Sequence, residues 1–360
     1  AREGLRFTQF YVAAPLCAPS RAALMTGRWP PRVGVPWNPP RRLFPEEVVI
    51  AELLRDQGYA TGMVGKWHLG SDPGEMPTHH GFEYFYGIHT GVNRRHFVLG
   101  DERTRDTVPP ERLAERYTEY ALRFIAEHKD EGPFFMYIAH HDPHTPNVPG
   151  PEYAGRTSVG PYGDVIEQLD ATVGTLLDGL EEMGVDRNTL VIFTSDNGPL
   201  VPPRGFGSTG GLSGAKKSCE EGGIRVPAVM RWPAGIPAGR VVREVASTMD
   251  LFPTLTALAR APLPDREYHG EDISRLLTGE ADRIGGDGID GGRELVIWQG
   301  GREPGALRSG HWKYLRPGPW NAHPTLFELS VDPGERNNLF WTLPERADEM
   351  ERRLQALVGS

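Results

Sequence analysis

Three times along this chain, a segment with apolar residues at helical spacing runs directly into a short, almost wholly apolar strand. The first is PEEVVIAELLRDQGY followed by ATGMV, where Pro45 suits a first helical turn and Gly58 a C-terminal cap. In the second, Leu113, Tyr117, Tyr120 and Phe124 mark a helix from about Glu111 to Lys129, and Gly132 and Pro133 open the strand FFMYIA. In the third, Ile166, Leu169, Val173, Leu176 and Leu180 form one stripe ahead of TLVIFT. Strands that are apolar on both faces must be covered on both faces. The alternation therefore predicts an α/β fold, a mostly parallel central sheet flanked by helices. Functional loops in such a sheet gather at strand C-termini, which is where GKWHLG, HHDPHTP and SDNG occur.

Beyond about Glu280 the texture changes. A Gly/Asp-rich IGGDGIDGG leads to ELVIWQ, ALRSGHWKYLR and TLFEL, and a charged helix starts near Pro344. This predicts two units: a large α/β domain over residues 1–280, and a subdomain over 281–360 with a small antiparallel sheet and a terminal helix. The Gly-rich stretch from Arg204 to Gly214 reads as a flexible loop, with a substrate cleft as its functional alternative. At the start, AREGLRFTQF reads as a helix tail passing through Gly4 into a strand, with no signal peptide in view.

A formal net charge of −9 argues against a nucleic-acid partner, whose phosphates call for a surplus of Lys and Arg. Apolar runs such as VPAVM and LVIF fall far short of the roughly 20 residues of a membrane span, and none is expected. Two cysteines, Cys17 and Cys219, make no disulfide scaffold.

Some residues carry chemistry by position. In CAPSRAALMTGR, Pro19 fits a first helical turn and puts Cys17 at a helix N-terminus, a place for an activated nucleophile or for a small buried residue. Lys66 and His68 flank Trp67 and share a face if that segment is extended. Asp196 and Asn197, directly after a buried strand, are either a plain turn or hard oxygen ligands suited to Ca²⁺ or Mg²⁺.

The string CAPSR followed by AALMTGR resembles the sulfatase signature, in which Cys, any residue, Pro, Ser, Arg directs oxidation of the cysteine to formylglycine. GYATGMVGKWHLG, HGFEYFYGI, PFFMYIAHHDPHTP, LDATVGTLLDGLEEMG, TLVIFTSDNGP, EGGIRVPAVMRWPAGI and LSVDPGERNNL resemble sulfatase segments in the family's order. The chain is thus similar to the formylglycine-dependent sulfatases, of the arylsulfatase A type.

That resemblance implies an alkaline-phosphatase-like fold and hydrolysis of a sulfate ester, the partner being a sulfated small molecule or glycan. Cys17 would become formylglycine through a formylglycine-generating enzyme, and its hydrate would attack sulfur. Arg21 would hold the hydrate. Lys66 would stabilise sulfate oxygens, and His68 would deprotonate the hydroxyl that expels sulfate. His144 and Lys216 would bind sulfate and serve the leaving oxygen. Lys216 is preferred over adjacent Lys217 by its spacing to Glu221, while His140 and His141 are taken as supporting residues. Asp196, Asn197 and the modified Cys17 would hold Ca²⁺, with Mg²⁺ as the alternative. A related phosphate or phosphonate ester hydrolase is the competing activity. The family's consecutive aspartates after its first strand have no counterpart before Cys17, so an N-terminally truncated chain lacking that strand, or a catalytically impaired sulfatase, is expected. The family favours a periplasmic or secreted location.

Overall fold

The structure is a computed structural model that describes residues 1–38, 42–89, 97–100, 102–103, 107–201, 207–319 and 321–359. In chain order, strands β1 (Leu5–Phe7) and β2 (Phe10–Tyr11) precede helix α1 (Cys17–Thr26). Then come α2 (Ile50–Asp56), β3 (Ala60–Lys66), β4 (Tyr84–Ile88), β5 (Val98–Leu99) and β6 (Glu102–Arg103). The long helix α3 (Leu113–His128) leads to β7 (Phe134–Ala139), and α4 (Pro161–Glu182) leads to β8 (Val191–Thr194). A short α5 (Glu221–Ile224), β9 (Ala228–Arg231), β10 (Arg240–Val242), β11 (Ala246–Ser247), α6 (Leu251–Leu258) and α7 (Ser274–Thr278) complete the larger part. Strands β12 (Glu294–Trp298), β13 (Pro304–Ser309), β14 (Trp312–Leu315) and β15 (Thr325–Glu328) form an antiparallel meander, closed by α8 (Pro344–Gly359).

The central layer is a mixed sheet in two pieces. One has the order β6-β5-β4-β3-β7, parallel across β4, β3 and β7 and antiparallel at its β5–β6 edge. The other has the order β10-β1-β9-β8, in which β9 runs antiparallel to both neighbours while β1 and β10 are parallel. Among the described residues β7 pairs with β3 and β8 with β9, and between these two strands lies a cavity of about 1950 Å³. Phe134, Met136, Ile138, Val191 and Phe193 line it.

Close backbone approach sets the layer's geometry at Gly65. There φ is +101°, and an added Cβ would lie 2.1 Å from the Ala139 carbonyl oxygen. On the other side, a Cβ at Gly87 would lie 1.9 Å from the Gly65 carbonyl oxygen. Only glycine allows β3, β4 and β7 to pack this tightly where β3 delivers Lys66.

Two local expectations need correction. Helix α2 begins at Ile50 instead of near Pro45, because Glu52 turns back to accept the Val49 N–H at 2.8 Å and starts the helix there. Upstream, Glu47 is held by Arg28 at 2.6 Å, which keeps the segment off the helix axis. Residues 1–4 form a turn and not a helix tail; Gly4 packs so tightly on β9 that a Cβ would lie 2.1 Å from the Met230 carbonyl oxygen. Of the Gly-rich stretch from Arg204 to Gly214, residues 204–206 lie outside the described residues. Among the described residues, no helix is long and apolar enough to cross a membrane.

Candidate active site

Cys17 is the first residue of α1, following an extended Leu16. The new helix exposes unpaired N–H groups at this end, and the Asn38 side chain takes that of Ala18 at 3.1 Å. Gly27, at φ 66°, ends the helix and returns its N–H to the Ala23 carbonyl. Nearly all of α1 is buried, so the helix that carries Cys17 is held in place by packing.

One turn along α1, Arg21 points into the same space. Its Nε donates to Asp196 Oδ2 at 2.8 Å, and its Nη1 donates to the Lys66 carbonyl at 2.7 Å. A single guanidinium therefore ties the ends of β3 and β8 to α1. Lys216 completes the cluster from another direction, its Nζ lying 3.1 Å from Cys17 Sγ. The neighbouring Lys217 is exposed and takes φ 83°, a left-handed conformation.

Cys17, Arg21, Lys66, His144, Asp196, Asn197 and Lys216 all line one end of the cavity between β7 and β8. His68 lies just outside that wall. Strand β3 ends at Lys66 and His68 has φ 65°, so the extended segment that would have put both side chains on one face stops short. It still feels the site: burial, then the charges of Lys66 and Arg21, push its imidazole down to about 3, leaving it neutral. Burial and Lys216 likewise push His144 down. His144 Nδ1 sits 2.8 Å from the Thr145 carbonyl, an oxygen that only accepts, so Nδ1 carries the proton and Nε2 of the neutral ring is the acceptor. Lys66 is lowered by desolvation and by Arg21. Desolvation opposes ionisation of Asp196, but Arg21, Lys66 and Lys216 outweigh it and hold the carboxyl well below the usual range.

Three cations and the neutral His144 thus gather at the end of the cavity that holds the Cys17 sulfur, with neutral His68 just outside its wall, an arrangement that suits a tetrahedral oxyanion. Asp196 and Asn197 supply hard oxygens beside it, and Asn197 Oδ1 is buried with no hydrogen-bond partner among the described residues. Such an orphaned oxygen fits a hard cation. Among the described residues, however, no group of three or more His, Cys, Asp or Glu side chains gathers as a metal site.

A family profile described as Sulfatase matches residues 1–261. The chain belongs to the sulfatase family. It is 37% identical to arylsulfatase A of Bos taurus over 417 residues, covering 99% of this chain and 80% of that protein. An N-acetylgalactosamine-6-O-sulfatase of Bacteroides thetaiotaomicron is 30% identical over 451 residues, covering 99% and 86%. A solved structure connected with the metabolism of multiple glycosaminoglycans by Bacteroides thetaiotaomicron superposes with a TM-score of 0.87 at 28% identity, over 100% of this chain and 92% of that one. The sulfatase fold, with its α/β body and separate antiparallel sheet, is the fold described above.

Sequence reasoning missed several residues of this sulfatase site. Asn38 accepts the Ala18 N–H at the start of α1 from a loop with no pattern to announce it. Tyr137, on β7, has its phenol raised by burial beside Arg21 and Asp196. The supporting histidines differ: His141 Nδ1 meets the Tyr117 hydroxyl at 2.9 Å, while His140 is pushed down by burial to about 4. Cys17 and Cys219 are both free; burial pushes the Cys219 thiol up to about 12, which makes it an inert core residue.

Proposed function

We propose that this sulfatase hydrolyses a sulfate ester of an aryl or glycan alcohol, with position 17 acting as formylglycine made by a formylglycine-generating enzyme. The observation that carries the reading is the approach of Lys216 Nζ to Cys17 Sγ at 3.1 Å, with Arg21, Lys66 and His144 around the same point. As formylglycine hydrate, residue 17 supplies one hydroxyl to attack sulfur and a second to expel sulfate, which a thiol cannot do. Lys66 and Lys216 hold the sulfate oxygens. Arg21 orients residue 17 while keeping Asp196 ionised. His144, protonated at Nδ1 and basic at Nε2, exchanges a proton with the alcohol oxygen. His68, kept neutral, accepts the proton of the second hydroxyl.

Asp196 and Asn197 are the residues to hold a Ca²⁺ or Mg²⁺ ion, which would supply charge neutralisation at the sulfate. Two oxygens are few for such an ion, which takes about six to eight ligands. An ion held there therefore needs oxygens beyond these two side chains. Calcium titration of this chain against Asp196→Asn and Asn197→Ala variants tests whether these residues hold the ion; equal affinities refute it.

The chemistry is tested by expressing the chain with a formylglycine-generating enzyme and reading the Cys17 peptide by mass spectrometry, then comparing aryl sulfate with aryl phosphate turnover. An aldehyde and a sulfate preference are expected. A persistent thiol, with a control sulfatase converted in the same cells, overturns the mechanism, and a phosphate preference overturns the substrate class.

A further inference from the structure

The turn from Ser213 to Gly223 carries Lys216, and apart from the short α5 it has no regular structure to hold it. Its anchors lie in the C-terminal sheet region. At one end Ser213 Oγ donates to the Gly334 carbonyl at 2.6 Å. At the other, the Glu221 N–H donates to the Glu335 carboxylate at 2.6 Å. The Glu221 carboxylate accepts from Lys313 Nζ at 3.0 Å and from the Tyr11 hydroxyl at 2.7 Å. Lys313, on β14, also pairs with Glu335 at 2.8 Å. Lys313 and Glu221 are completely buried, and Glu335 nearly so.

Between these anchors the turn is closed on itself. Gly222 N–H donates to the Ser213 carbonyl at 2.7 Å. Gly223 sits where a Cβ would lie 2.0 Å from the Ser218 carbonyl oxygen. Lys216 N–H reaches the Pro199 carbonyl at 2.9 Å and Lys217 N–H the Pro15 carbonyl at 3.0 Å. The turn therefore moves as one piece, and what holds its far side is Lys313 between two carboxylates. Without that ammonium, Glu221 and Glu335 would face each other in a dry interior with Arg225, whose Nη1 lies 3.3 Å from Glu221 Oε2, as the remaining cation for two carboxylates, an arrangement that favours protonation or separation. Separation pulls on the Glu221 backbone and, through the closed turn, on Lys216.

We infer that Lys313 and Glu335 are positioning residues that set Lys216 against residue 17, making the C-terminal sheet a working part of the active site. This deepens the reading of Lys216 as a sulfate-binding group and rests on it. A displacement of about 1 Å in such a group costs about 10²-fold in rate.

The test uses the full chain with Lys313→Met, Glu335→Gln and, as a variant that removes one tether without unpairing a buried charge, Ser213→Ala. Amide hydrogen exchange is read in the peptide covering residues 209–220, and aryl sulfate kcat/KM is read alone and combined with Lys216→Met. Faster exchange confined to that peptide is expected in Ser213→Ala and Lys313→Met. A loss of about 10²-fold for Lys313→Met should vanish in the Lys216→Met background, because both changes remove the same interaction. Unchanged exchange in Ser213→Ala and Lys313→Met overturns the inference, and so do losses that multiply, since Lys313 would then act elsewhere. Full turnover by Lys216→Met would instead sink the site reading, while the exchange readout still judges the tether.

Discussion

Replacing Arg293 by Met should destabilise the protein more than any surface change, for a reason that can be worked through. Arg293 and Asp250 are both essentially inaccessible to solvent. The guanidinium spans both carboxylate oxygens, with Nη1 to Oδ2 at 2.5 Å, and Asp250 also accepts the Ser247 N–H at 2.7 Å and the Glu271 N–H at 2.9 Å. The pair joins the segment entering α6 to the residue just before β12, so it fastens the C-terminal sheet to the α/β body. Removing one partner of a buried pair leaves an uncompensated charge and costs about 3–5 kcal/mol. With an unfolding entropy of about 2.1 cal/mol/K per residue over 360 residues, that is a fall in Tm of about 4–7 °C. Differential scanning calorimetry reads it directly. Adding Asp250→Asn to Arg293→Met removes the stranded charge while keeping an acceptor for the local N–H groups, so the double variant should recover part of the loss. A fall below about 1 °C in the single variant, or a further fall in the double, would refute the argument that an unpaired buried charge is what matters.

Gly65→Ala forces a left-handed φ on a residue with a Cβ and drives that atom into the Ala139 carbonyl. The sum of backbone strain and overpacking is about 2–6 kcal/mol, to be read as a lowered denaturation midpoint; an unchanged midpoint would mean that the β3–β7 spacing is soft. Cys17→Ala should abolish sulfate ester turnover with Tm unchanged within about 1 °C, and measurable turnover would remove residue 17 as nucleophile. Acid should destabilise the fold before the carboxylates titrate. Burial holds His80, His140 and His269 near pKa values of about 4, 4 and 3, against 6.5 ordinarily. Their neutral forms support the fold fully above pH 6.5. As pH falls below that, the unfolded chain binds protons that the folded one refuses, until the folded pKa values are reached. The slope is about 1.4 kcal/mol per pH unit for each histidine, about 4 for the three. Urea unfolding at pH 7, 6 and 5 measures it, and a flat profile would show that these rings protonate in place.

What the sequence could and could not disclose follows the range of the interactions involved. Helix α4 and strands β3, β7 and β8 are legible because their apolar periodicity is a local record of which face is covered. The placement of GKWHLG, HHDPHTP and SDNG at one end of the sheet is legible for the same reason: strand C-termini in such a layer all open on one side. Pairing is different. Strand β1 runs between β9 and β10, more than two hundred residues away, and nothing in LRF distinguishes a parallel neighbour from an antiparallel one. That is how β9 came to lie antiparallel in a layer read as mostly parallel. The left-handed turn at His68 was hidden because a non-glycine residue at positive φ carries no compositional mark. Hardest to see was the support behind Lys216. ALRSGHWKYLR reads as part of a separate small sheet and LSVDPGERNNL as a family-like segment, yet Lys313 and Glu335 reach across to Glu221, five residues beyond the lysine that faces Cys17. A buried charge is invisible in sequence until its partner is known. Here the partners lie about ninety and more than one hundred residues apart, so only the packed fold brings Glu221, Lys313 and Glu335 together.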